Sequence, residues 1–144
     1  MDLGWAVHHL AAAAAEVDAA IARRMGLSSG DFLALKHLVT AERPIGPVEL
    51  GRLLGLTSGA ATGLVNRLET AGWARREPHP DDRRRQTLTV TAHASETLLR
   101  ELRPLAGEIE RVAASLSPEQ QRLVVATIER LTTAHRTTVR SPAR

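Results

Sequence analysis

Apolar positions fall at helical spacing along most of this chain, and the period changes once, in the middle. From Asp2 to Arg24, Val7, Leu10, Ala14, Val17 and Ile21 recur three and four residues apart, lining one side of a first helix. The run Ala11 to Ala15 favours helix and lets another helix come close. Gly26 ends this helix, and Ser28 with Asp31 three places on makes the acidic version of a capping box. A second helix follows to about Ala41, with Phe32, Leu35, Leu38 and Val39 facing inward, until Glu42-Arg43-Pro44 breaks it. Ile45 suits a brief edge strand. Pro47 suits the first position of a third helix, Pro47 to Leu54, whose buried side is Leu50, Leu53 and Leu54.

Gly55 closes that helix, and Thr57 or Ser58 caps a fourth. Here Ala61, Leu64, Val65 and Leu68 form the packing face, while Gly59, Thr62, Gly63 and Asn66 share the other side. A helix that enters a DNA major groove needs such a small, polar outer face, because bulky apolar groups would block approach to the base edges. Gly72 stops the helix, and the period drops to two: Trp73 to Pro78 and Gln86 to Thr91 read as a hairpin. In its second strand Leu88 and Val90 point one way and Thr87, Thr89 and Thr91 the other. Between the strands His79-Pro80-Asp81-Asp82 favours a turn, from which Arg83, Arg84 and Arg85 project.

Thr91 caps a long fifth helix in which Leu98, Leu102, Leu105, Ile109, Val112 and Leu116 make a sustained heptad seam. Pro104 lies inside it and is expected to kink or split it. Ser117-Pro118-Glu119-Gln120 opens a last helix to about Thr138, with Val124, Ile128, Leu131 and His135 on one stripe and a tail, Arg140 to Arg144, expected to fray. The fold class is therefore mainly α with a small β-wing. The helices at both ends carry more apolar seam than the small central unit can bury, which marks a partner surface.

Composition narrows the picture. In 144 residues, 43% are hydrophobic and only 2% aromatic, so the core is aliphatic. The formal net charge is just +3, yet all nineteen basic residues but Lys36 are arginine, the better side chain for phosphate forks and narrow grooves. The absence of cysteine removes disulfides and thiol switches. With no long apolar run and no leader pattern, the chain is expected to be cytoplasmic.

The run Leu64-Val65-Asn66-Arg67-Leu68-Glu69, then Gly72-Trp73 and Arg76, then Asp81-Asp82-Arg83-Arg84 and Leu88-Thr89-Val90-Thr91 resembles the signature of the MarR family of winged helix-turn-helix regulators. The resemblance covers about a quarter of the chain, in order and spacing, with a helical flank of suitable length on each side. It implies one domain over 1–144: a winged helix-turn-helix at 28–91 flanked by dimerisation helices at 1–25 and 92–138. It implies a homodimer that binds palindromic double-stranded operator DNA, usually as a repressor, and is released by a small aromatic or phenolic effector. Oxidative release is closed to a chain without cysteine.

Carried over by position, Thr57, Ser58, Gly59, Thr62 and Asn66 would lie at the major groove. Arg84, between Arg83 and Arg85, would enter the minor groove, Asp82 would brace the wing, and Arg67 and Arg76 would brace or meet phosphates. Gly59 and Gly63 depart from the usual pattern and thin out direct readout, shifting specificity toward Arg84 and DNA shape. Trp5, His8, His9, Phe32 and His37 are the aromatic or switchable groups available to an effector.

Two other classes compete with this reading. A winged helix can serve protein contacts, or bind DNA architecturally without sequence preference; the basic wing argues against the first. An enzyme would have to be built on His93, Ser95 and Glu96, which share one helix start and lack the geometry of a nucleophile, base and orienter. No metal or other cofactor is expected, because the histidines lack ligand spacing and His79 beside Asp81 and Asp82 is explained by the turn.

Overall fold

The computed structural model describes residues 1–140; of the tail expected to fray, 141–144 lie outside the described residues. The elements in order are α1 (Leu3–Met25), α2 (Ser29–Val39), α3 (Pro47–Leu53), α4 (Ser58–Thr70), β1 (Ala74–Pro78), β2 (Gln86–Val90), α5 (Ala92–Ala114) and α6 (Pro118–Arg140). They form two compact units, Met1–Glu101 and Leu102–Arg144.

In the first unit each expected cap is made. Ser28 Oγ accepts the Asp31 N–H at 3.1 Å and Thr57 Oγ1 that of Ala60 at 3.2 Å; Asp2, not read as a cap from the sequence, accepts that of Trp5 at 3.0 Å. Gly26, Gly55 and Gly72 end their segments at φ of 69°, 66° and 77°, where a side chain would be strained. The core is aliphatic around one indole: Leu35, Leu38, Ile45, Leu50, Leu64, Val65, Leu68, Trp73, Leu88 and Ala94. An ion pair from Lys36 to Asp18, at 2.6 Å, adds a polar tie between α2 and α1.

Two residues expected inside are not. Val39 is 41% exposed, because the buried residues of α2 are Asp31, Phe32, Ala34, Leu35 and Leu38 and leave Val39 at their margin. Leu53 is 46% exposed, and Gly51 is buried in its place. Helices α3 and α4 approach so closely there that a Cβ on Gly51 would stand 2.8 Å from that of Ala61.

The hairpin pairs antiparallel from Ala74 opposite Val90 to Pro78 opposite Gln86. Ile45 adds the expected third edge as one bridge, accepting the Leu88 N–H at 2.7 Å. The alternation in β2 is weaker than its Leu/Thr pattern suggests. Thr87 is as buried as Leu88, on the opposite face, and its hydroxyl donates to the Glu77 carbonyl at 3.3 Å. Helix α5 starts on the expected cap, Thr91 Oγ1 accepting the Ala94 N–H at 3.1 Å. It runs unbroken through Pro104, so the expected split does not occur. The proline takes one backbone bond from a helix long enough to tolerate the loss.

In the second unit the α5–α6 turn is closed by a reciprocal capping box: Ser117 Oγ accepts the Gln120 N–H at 3.2 Å and Gln120 Oε1 that of Ser117 at 2.8 Å. Above it the heptad seam is bare. Ile109, Val112, Val124 and Ile128 are 59%, 64%, 43% and 49% exposed, and no described residue of α6 is buried.

Candidate nucleic-acid interface

Helix α4 buries Ala61, Leu64, Val65 and Leu68 and leaves Ser58, Gly59, Thr62 and Asn66 exposed on its outer side, with Gly63 half-buried among them. Thr62 Oγ1 donates back to the Ser58 carbonyl at 2.9 Å. Two ion pairs tether the helix. Arg67 lays its guanidinium fork on Asp31 of α2, Nη2 to Oδ1 at 2.8 Å and Nε to Oδ2 at 3.1 Å. The hydrogen bond to Asp31, and then its charge, raise the Arg67 pKa above the ordinary arginine value, against a lowering by desolvation. Near the end of α4, Glu69 accepts the Arg76 backbone N–H at 2.8 Å and, through its other oxygen, the Arg76 guanidinium. Arg76 also donates from Nη2 to Asn66 Oδ1 at 2.9 Å. The end of α4 and β1 are thereby one hydrogen-bonded assembly.

The wing tip is held by its backbone. Asp82 Oδ1 accepts the Arg84 N–H at 3.0 Å, the Asp82 carbonyl accepts that of Arg85 at 3.0 Å, and the Arg85 carbonyl accepts that of His79 at 3.0 Å. His79 Nδ1 in turn accepts the Asp81 N–H at 3.1 Å. These bonds use the backbone, Asp82 and His79, and leave the arginine side chains out. Among the described residues Arg83, Arg84 and Arg85 have no side-chain hydrogen bond or ion pair, whereas Arg67, Arg75 and Arg76 are each paired with a carboxylate. The six arginines of this region thus divide into three paired with carboxylates, of which Arg67 and Arg76 tie elements together, and three whose side chains are presented to solvent.

Sequence reasoning singled out Asp82 but gave no partner to Asp31, which it used only as a capping residue, or to Glu69. Asp31 lies 36 residues from Arg67, and nothing local in the sequence announces that pairing. The five residues considered for an effector are differently placed. Trp5, His8 and His9 touch one another, with ring centroids 5.7, 6.2 and 6.0 Å apart, and Trp5 is 60% exposed. Phe32 is sealed in the core and His37 is half-buried. An open cleft of about 440 Å3 lies against the end of α2, the loop after it and β2; its lining includes Leu38, Arg43, Ile45, Thr89 and Ser95, and none of the five. His93, weighed above as part of a catalytic grouping, stacks on Trp73 at 5.2 Å. Among the described residues no cluster of three or more His, Cys, Asp or Glu could hold a metal, and no helix is long and apolar enough to cross a membrane.

A family model described as MarR family matches residues 25–85. The chain is 35% identical over 106 residues, 73% of its own length and 68% of the relative's, to an uncharacterized HTH-type transcriptional regulator, YcgE, of Bacillus subtilis. The chain belongs to the MarR family. It is also 29% identical over 101 residues, 69% of this chain and 60% of the other, to the HTH-type transcriptional repressor YetL of the same organism. Among solved structures, the transcriptional regulator Tm0710 of Thermotoga maritima superimposes with a TM-score of 0.66 at 25% identity, over 96% of both chains. This MarR-family chain is a transcriptional regulator with a DNA-binding fold, mostly helical with a two-stranded wing, and its relatives are regulators, not enzymes.

Proposed function

We propose that this MarR-family regulator is a homodimeric repressor that recognises palindromic double-stranded operators and is released by a small aromatic or phenolic ligand. The observation that carries the DNA reading is the division of arginines: three paired with carboxylates and three unpaired at the tip of a wing whose turn is closed without them. An unpaired arginine cluster on a braced loop is positioned to meet phosphates and a minor groove. In this reading Arg84 enters the minor groove, Arg83 and Arg85 meet the flanking backbone, and Asp82 braces the loop. Thr57, Ser58, Gly59, Thr62 and Asn66 face the major groove, Arg67 acts by holding α4 against α2, and Arg76 by holding α4 against β1. The repressor's direction of action is supported by the name of one relative, the repressor YetL.

Homodimerisation is supported by the uncovered seam of Ile109, Val112, Val124 and Ile128 and by exposed Leu3, Trp5 and Leu10 on α1. A dimer with two-fold symmetry would set two recognition helices about one DNA turn apart, ~34 Å. Release is assigned to an effector recognised by Trp5, His8 and His9, and not by Phe32, which is sealed in the core. The exposed ring cluster of the first three supports that part.

The test is selection of bound duplexes from a random pool, with the protein's mass in solution measured alongside. Recovery of an inverted repeat by a dimer is the expected result. Failure of folded protein to enrich any motif at low salt would favour a protein-contact or architectural role instead. Benzoate, added as a probe, should loosen the selected complex, and an unchanged complex would remove the effector assignment.

A further inference from the structure

On the outer side of α4 two glycines carry no side chain, so discrimination between bases falls on few groups. Asn66 is one of them, and its amide is not free to choose its orientation. Arg76 has only donors, so the Asn66 atom 2.9 Å from its Nη2 has to be the carbonyl oxygen. The arginine cannot turn aside to release it, because Glu69 holds both its backbone N–H, at 2.8 Å, and its guanidinium. Asn66 Oδ1 is therefore occupied by the protein, while its exposed Nδ2 has no partner among the described residues.

We infer that Asn66 is a specificity-determining residue that reads guanine in the major groove, as a donor only; this rests on the DNA-binding reading above. An unconstrained asparagine prefers adenine, because it needs its oxygen for the adenine N6 amino group and its nitrogen for N7. With the oxygen spent on Arg76, the remaining NH2 favours the base edge that offers two adjacent acceptors, guanine O6 and N7. It meets a donor at adenine N6 or cytosine N4. The Arg76–Glu69 pair thus converts an ambidextrous side chain into one of fixed polarity. The departure from usual asparagine chemistry is set two residues behind the contact.

The experiment is duplex selection with the full-length wild type, Asn66→Ala and Asn66→Asp, followed by titration of the wild type against modified operators. One symmetric position in the wild-type motif should be guanine. Replacing that guanine by 7-deazaguanine should weaken wild-type binding on the order of tenfold, within the range of a good base contact, and inosine, which keeps O6 and N7, should not. Asn66→Ala should lose the preference at that position alone. Asn66→Asp keeps an oxygen for Arg76 but presents an acceptor, and should move the preference toward cytosine. A merely structural role for Asn66 would not invert a base preference. If the position governed by Asn66 is adenine, or the motif is the same without Asn66, the assignment is overturned while the regulator reading stands. A wild type that enriches no motif overturns both. Because the modified-operator arm uses unaltered protein, a variant that fails to fold does not decide the question.

Discussion

Gly46 offers a sharp check on how the wing is attached. It is the N-cap of α3, with φ −93° and ψ 172°, a backbone that any residue adopts, so conformational freedom is not the reason for glycine. Space is. A Cβ there would stand 2.6 Å from the Gln86 carbonyl oxygen, against at least 3.4 Å for ordinary contact, so Gly46→Ala requires a shift of about 0.8 Å (3.4 − 2.6). The groups that must part are backbone, and the adjacent link is the Leu88 N–H to Ile45 carbonyl bond of 2.7 Å. Stretched by that amount the bond reaches about 3.5 Å, the edge of a hydrogen bond, and leaves a buried donor under-satisfied at a cost of ~1 to 3 kcal/mol. Overpacking strain adds roughly 1 kcal/mol or more, so the variant should lose about 2 to 4 kcal/mol in urea titration at fixed protein concentration. Gly46→Ser separates this from a capping effect. Serine is a better N-cap than glycine or alanine, so a capping deficit would be repaired by it, whereas the steric argument predicts that serine destabilises about as much as alanine. Gly107 is the control: nothing lies within 4 Å of its Cβ position, and Gly107→Ala should gain ~0.5 to 1 kcal/mol of helix stability. A Gly46→Ser protein as stable as wild type would refute the reasoning.

Arg84→Ala should weaken operator binding by about 1 to 3 kcal/mol without lowering the melting temperature, since its side chain has no partner in the protein, as electrophoretic titration and a thermal melt would show. Asp31 raises the pKa of Arg67, so their pairing contributes below the ordinary arginine value and is lost only as pH rises through the raised one. Melting temperature should then show no titration attributable to Arg67 between pH 7 and 10, and a step abolished by Asp31→Asn would count against the link. Ile109→Glu combined with Val112→Glu should halve the mass in solution and reduce affinity for a two-half-site operator by about a hundredfold or more, the loss expected when two linked contacts become one.

What the sequence made legible was local. Caps, stops and hairpin came from residues acting within four or five places: Ser28, Thr57, Thr91 and the Ser117–Gln120 box all make the bonds their spacing implies. The edge strand at Ile45 was legible because only a short extended segment fits between Pro44 and Pro47. Packing details were not. Nothing in the third helix says that Gly51 rather than Leu53 faces α4, because that depends on how close two helices come, and a small residue signals closeness only once its neighbour is known. The alternation put Thr87 on the face opposite Leu88 and gave no sign that it would be buried, with its hydroxyl serving the Glu77 carbonyl. At the site the unpaired wing arginines were visible as a cluster, while the carboxylates that remove Arg67 and Arg76 from that cluster sit on α2 and near the end of α4.

That distinction carries a measurable consequence for the salt dependence of binding. Arg67, Arg75, Arg76, Arg83, Arg84 and Arg85 would look equivalent in a count of basic residues, and if all six met DNA in each half of a dimer, twelve contacts would give a slope of log affinity against log salt near −11, at ~0.9 per contact. With three of them committed to Asp31, Glu77 and Glu69, the wing supplies three per protomer and six per dimer, for a slope of about −5. Helix termini can add backbone contacts to phosphates, but a neutral N–H releases no counterion-equivalent charge of its own and does not close a gap of that size. Releasing Arg75 from its exposed partner by Glu77→Gln should steepen the slope where neutralising Asp31 does not, because Arg75 lies on the wing strand and Arg67 lies against α2. A wild-type slope near −11 would mean that these ion pairs open on binding, and that the paired arginines are a reserve for the DNA and not a brace for the helix.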